Sequence, residues 1–136
     1  VEQAVTQLNV RRIQHGIRAS ESEEVMDLLL DKEVTLDLCP ISNYKLRVVD
    51  ELATHPIRSF MDRGIRCTVS TDDPLTFNNS LTQEYETLVA KLGFSSREIG
   101  RLAKNGFCVA DLESGETTAY QRQIDELVEN AFSINE

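Results

Sequence analysis

Two adjacent carboxylates and one histidine are the residues of this chain best suited to chemistry. Asp72 and Asp73 follow the apolar run 65–69, in Thr68-Val69-Ser70-Thr71-Asp72-Asp73, and Pro74 closes the stretch. His15 ends a shorter extended segment, 11–14, and a third such segment, 34–39, leaves through Cys39-Pro40-Ile41-Ser42-Asn43. A histidine with two aspartates suits metal-assisted hydrolysis. One carboxylate holds a cation, the imidazole steers the water bound to it, and the second acid meets the substrate. Each piece also has a plainer reading. Asp-Asp-Pro makes a solvated turn, and a lone histidine after a strand commonly makes a structural hydrogen bond.

The elements that must position these residues follow from pattern. Val and Thr favour extended backbone, so 65–69 reads as a buried strand that stops before Pro74, which has no N–H for a ladder. Segments 11–14 and 34–39 read as two further strands. Residues 1–8 carry apolar side chains at Val1, Ala4, Val5 and Leu8, one face of a helix. Ser20 with Glu23 has the spacing of a capping box opening a second helix, and 41–54 has no clear period and reads as a loop. His55-Pro56 starts a helix with Pro at its first position, and Gly64 ends it. Ser80 with Gln83 and Ser95 with Glu98 open two more helices, the first ending at Gly93, and 116–132 is a last amphipathic helix.

Strands alternating with helices imply right-handed crossovers and a parallel sheet. His15, the segment after Cys39, and the Asp72-Asp73 pair then share its C-terminal edge, where α/β proteins gather ligands. Three strands are too few for a complete (β/α)8 barrel of about 250 residues. The pattern leaves two architectures open: a small open α/β domain, or the last part of such a barrel.

Composition narrows the partners. The chain has 136 residues, 40% hydrophobic and 27% charged, enough for one domain with a core. A net charge of -9 argues against nucleic-acid and anionic membrane surfaces. No segment has the apolar length of a membrane span. Cys39, Cys67 and Cys108 are odd in number and widely spaced, as expected of reduced thiols in a cytoplasmic protein. The opening Val1-Glu2-Gln3-Ala4 reads as the inside of a helix, so a piece of something longer is expected.

Four motifs in order carry a resemblance. Arg12-Ile13-Gln14-His15-Gly16, Leu38-Cys39-Pro40-Ile41-Ser42-Asn43, His55-Pro56 and Ser70-Thr71-Asp72-Asp73-Pro74 resemble the C-terminal part of the adenosine/adenine deaminase family. Ser80-Leu81-Thr82-Gln83-Glu84-Tyr85 and Leu92-Gly93-Phe94-Ser95 extend the resemblance. It implies that the whole chain, 1–136, is the C-terminal portion of a metal-dependent hydrolase (β/α)8 barrel, about three strands and their helices, with extra C-terminal helices and the N-terminal strands missing.

The implied reaction is hydrolytic deamination of a 6-aminopurine by zinc-activated water, using one Zn2+ and releasing ammonia. Residue by residue, the resemblance makes Asp72 a zinc ligand that also contacts the attacking water. His15 becomes the histidine that positions that water without ligating. Asp73 becomes the acid that hydrogen-bonds a purine ring nitrogen, for which either Asp73 (through a raised pKa) or the ring must carry a proton. Ser42 and Asn43 would support the site, and His55 would be a helix-entry residue.

The family's other ligands come from a His-x-His and a His-Ala-Gly-Glu segment, which this chain lacks. It holds only His15 and His55. The isolated chain is therefore expected to be inactive, with the missing N-terminal half of the barrel as its partner. Lys45-Leu46-Arg47-Val48 looks like adenine deaminases and 75–85 like adenosine deaminases, the balance leaning to adenosine. The alternative is a non-catalytic half-barrel that binds a partner chain or oligomerises. A phosphate-binding module is disfavoured because no Gly-rich loop follows a strand.

Overall fold

The central strand is the most deeply buried element and sets the frame. In the computed structural model, which describes residues 1–133, β2 (Thr35–Leu38) is buried along its whole length. It pairs in parallel with β1 (Arg12–Gln14) on one side and β3 (Cys67–Val69) on the other, giving the order β1-β2-β3. Register places Arg12 beside Thr35, Gln14 beside Asp37, and Asp37 beside Thr68. Because side chains alternate across a strand, these residues share one polar face. Asp37 is satisfied there by Arg12 Nη2 at 2.7 Å and Thr68 Oγ1 at 2.6 Å. Leu36, Leu38 and Cys67 lie on the other face, in the core with Leu29, Phe60, Leu88 and Leu102.

The helices cover that apolar face. In order they are α1 (Glu2–Leu8), α2 (Glu23–Asp31), α3 (Pro40–Lys45), α4 (Ile57–Arg63), α5 (Pro74–Phe77), α6 (Leu81–Leu92), α7 (Ser96–Val109) and α8 (Ser114–Ser133). Short 3-10 turns stand at Ile17–Glu21 and Leu52–Thr54. Both capping boxes expected downstream are formed, Ser80 with Gln83 and Ser95 with Glu98. α8 packs on α7 with Gly100 at the crossing: a Cβ there would lie 2.6 Å from Val128 Cγ2. No helix among the described residues is long and apolar enough to cross a membrane.

Three local expectations change. The expected loop 41–54 holds α3, because Pro40 ends β2 and also occupies the first helical turn, where its missing N–H costs nothing. Its buried residues are Pro40, Ser42 and Asn43, a mostly polar set with no apolar period to detect. The second helix is capped by Ser22, whose hydroxyl accepts from Val25 N, while Ser20 Oγ donates to the Ile17 carbonyl inside the 3-10 turn. Pro56 precedes α4 as its N-cap, and the His55 ring does the capping, with Nδ1 accepting from Ile57 N at 3.2 Å.

Candidate functional site

Each strand hands its chain to the same edge of the sheet. After β1, the His15 amide donates to the Asp37 carbonyl at 2.8 Å, continuing the ladder by one bond. His15 then adopts φ 57° and Gly16 φ 70°, turning the chain sharply away. A Cβ on Gly16 would lie 2.8 Å from Leu36 Cδ2, so the turn also needs the missing side chain. After β3, Ser70 N still bonds the Leu38 carbonyl, and Asp72 takes φ 59°. Left-handed backbone at two non-glycine residues facing each other costs of order 1–2 kcal/mol apiece and tends to cluster at functional sites.

The two predicted catalytic residues meet. His15 Nε2 lies 3.6 Å from Asp72 Oδ2, both side chains about one-third exposed. Ser42 Oγ donates to the same Oδ2 at 2.5 Å, a short charge-assisted bond that fixes the carboxylate and leaves Oδ1 open. Asn43 Nδ2 donates to His15 Nδ1 at 3.2 Å, and Asn43 Oδ1 bonds His55 Nε2 at 3.0 Å. His55 is only 2% exposed, and burial holds its imidazole down at about 4, so it is neutral.

Asp73 stands apart from this pair. It caps α5, with Oδ1 accepting from Leu75 N and Thr76 N and Oδ2 from Thr76 Oγ1 at 2.6 Å. These donors hold its carboxyl below the ordinary range, the opposite of the raised value that donation to a ring nitrogen would require.

One residue was not singled out from the sequence. Glu84 is fully buried on α6, where it takes Ile41 N at 3.1 Å and Asn79 Nδ2 at 2.7 Å, and Asn79 in turn donates to the Thr71 carbonyl. It thus ties the start of α3 to the loop that carries Asp72. Burial raises its carboxyl pKa. The available signal was a charge at helical spacing between Leu81 and Leu88, on a face that should be apolar.

His15, Cys39 and Asp72 place ligand atoms within 4.8 Å of one another. Burial keeps the Cys39 thiol protonated, and its sulfur bonds Gln14 Nε2 and Ser70 Oγ, each at 3.4 Å. A protonated, hydrogen-bonded thiol is a poor metal ligand, which leaves His15 and Asp72 as the side chains of this trio that could hold a cation.

The sequence profile of the adenosine deaminase family matches residues 1–127. The chain belongs to the adenosine deaminase family. Within it, the adenine deaminase of Bordetella parapertussis is 41% identical over 103 residues, which is 76% of this chain and 32% of that protein. The adenosine deaminase of Plasmodium falciparum is 46% identical over 92 residues, 68% of this chain and 25% of that protein. The crystal structure of adenine deaminase from Arthrobacter aurescens superposes with a TM-score of 0.90 at 34% identity, covering 94% of this chain and 39% of that one. An amidohydrolase from Burkholderia ambifaria with bound Zn shares the fold, with a TM-score of 0.85 at 22% identity, covering 98% and 37%.

The chain thus spans about a third of the length of the curated adenine deaminases it matches. Its three parallel strands and their helices are the C-terminal portion of a (β/α)8 barrel, which decides between the two architectures the sequence left open. The polar sheet face, where Thr35 Oγ1 has no partner among the described residues, is the side that would turn into a barrel.

Proposed function

We propose that the protein carrying this chain hydrolytically deaminates a 6-aminopurine, adenine or adenosine, releasing ammonia with one zinc ion at Asp72. The observation that carries this reading is the meeting of His15 Nε2 and Asp72 Oδ2 at the tips of the two strands that flank β2, in a deaminase-family chain. Its curated relatives include both adenine and adenosine deaminases.

Zinc, when bound, makes an acidic water available at neutral pH. Asp72 would supply one ligand, and Ser42 holds that carboxylate in place through its bond to Oδ2. His15 would orient that water through a hydrogen bond at Nε2, the ring nitrogen nearest Asp72. The Asp73 carboxylate already draws in three donors, which supports an acceptor role, so a ring nitrogen it contacts brings the proton. The remaining ligands and the proton-shuttling acid come from strands outside this chain, and the chain alone is inactive. Its cysteines are all free among the described residues, in keeping with a cytoplasmic setting.

A non-catalytic half-barrel that pairs with a partner chain is the second reading. It is favoured by the outer edge of β1, which has no strand partner among the described residues and is flanked by a cleft of about 640 Å³ lined by Ile13, Ile17, Val25 and Val48. The test is ammonia release from adenine and from adenosine by the full-length protein loaded with one equivalent of zinc. Turnover of either supports the first reading and identifies the substrate. Zinc-loaded protein that turns over neither supports the second.

A further inference from the structure

We propose that His55 and Asn43 are positioning residues that fix His15 as its Nε2–H tautomer; as a role in catalysis this rests on the deaminase reading. The direction of the relay is set at its far end by the Ile57 amide, which can only donate. It occupies His55 Nδ1 at 3.2 Å, so that nitrogen presents its lone pair. His55 is neutral, and its one ring proton is therefore on Nε2, 3.0 Å from Asn43 Oδ1. Of the two ends of the Asn43 amide, only the oxygen can receive that proton. The NH2 end accordingly faces His15 at 3.2 Å, and an NH2 group has nothing to accept with. His15 Nδ1 must be the acceptor, which leaves the proton on Nε2, the nitrogen 3.6 Å from Asp72 Oδ2.

Each link is determined by the one before it, and reversing any of them sets two donors or two lone pairs face to face. Both inner members are buried, His55 at 2% and Asn43 at 3% exposure, so water does not substitute for them. The chemical consequence is a division of labour at the sheet edge. With its proton on Nε2, His15 cannot ligate a metal through that atom; it is a hydrogen-bond donor to an oxygen held beside Asp72. This separates the roles of two residues whose ligand atoms, judged by proximity alone, look equally able to bind a cation.

The test is the ring 15N NMR spectrum of the metal-free full-length protein, labelled at histidine, at pH 8, where free imidazole is neutral. His15 is predicted to show an unprotonated, pyridine-type Nδ1 and a protonated, pyrrole-type Nε2. Asn43→Asp offers acceptors to both imidazoles and is predicted to move the His15 proton to Nδ1. His55→Leu removes the director and is predicted to leave a mixture of tautomers, which keeps the question open to test if Asn43→Asp does not fold. In turnover of a 6-aminopurine, both variants are predicted to lose about 10²–10⁴-fold in kcat, with KM changed much less.

A wild-type His15 with its proton on Nδ1 would overturn the proposal, as would folded variants with an unchanged pattern. If the predicted tautomer is found but the wild-type protein releases no ammonia, the relay stands and the deaminase reading fails. Turnover with the wrong tautomer is the converse.

Discussion

Acidification should strike this site through His55 before it reaches the carboxylates. The ring is 2% exposed, and burial lowers its pKa from 6.5 to about 4. At about 1.4 kcal/mol for each tenfold change in proton affinity, protonating it in the folded protein costs about 3 kcal/mol more than in the unfolded chain. The sign follows from which state holds the proton. Between about pH 6.5 and 4 the unfolded state binds a proton that the folded state refuses, so stability falls as pH falls through that window and the loss levels off below it. The structure supplies the reason: protonated Nδ1 would point an N–H at the Ile57 N–H.

Other groups add to the curve. Asp73 and Glu98, whose pKa values are lowered, lose stability at more acid pH, and Glu84, whose pKa is raised, works in the opposite sense. These remain in a His55→Leu variant, so the difference between the two proteins isolates the histidine. Urea unfolding of the full-length protein at pH 7 and pH 4.5 should show the wild type losing about 2–3 kcal/mol more than the variant. NMR titration should show His55 ring resonances unmoved down to about pH 5. A His55 that titrates near 6.5, or equal pH slopes in the two proteins, would refute the buried, neutral assignment.

Three substitutions probe the rest of the site. Glu84→Leu leaves the part-buried Ile41 N–H without its acceptor and frees Asn79, so a loss of roughly 1–3 kcal/mol is expected by denaturant unfolding, with zinc affinity about tenfold lower as the Asp72 loop loosens. Gly16→Ala sets a side chain at φ 70° with its Cβ 2.8 Å from Leu36 Cδ2, and thermal unfolding should report about 2–4 kcal/mol of destabilisation. Asp73→Asn keeps a good N-cap for α5, so unfolding should move by less than about 0.5 kcal/mol, while kcat/KM for the aminopurine falls by at least about tenfold.

The sheet edge was legible because its signals are local. An apolar run that stops before a proline, and a histidine before a glycine, place His15 and Asp72 at strand ends on the same edge of a parallel sheet. The supporting residues were harder to read. α3 has no apolar face to betray it, since Ser42 and Asn43 point into a polar site and bury there only because hydrogen bonds replace water. By spacing Ser20 is the better cap, with Glu23 three residues on where Ser22 has Val25, but the 3-10 turn Ile17–Glu21 takes up Ser20 and leaves Ser22 at the start of the helix. His55 was recognised as a helix entry but not as the source of direction for Asn43, because that depends on a contact made across 12 residues.

The central claim is that Asp72 ligates zinc and His15 does not, and zinc content after exhaustive dialysis tests it most directly. The full-length protein, His15→Asn and Asp72→Asn would be compared by metal analysis on folded samples. Near-stoichiometric zinc is expected in the wild type and in His15→Asn, with turnover lost in the latter, and strongly depleted zinc in Asp72→Asn. Zinc lost from His15→Asn as fully as from Asp72→Asn, or retained by both, would contradict it.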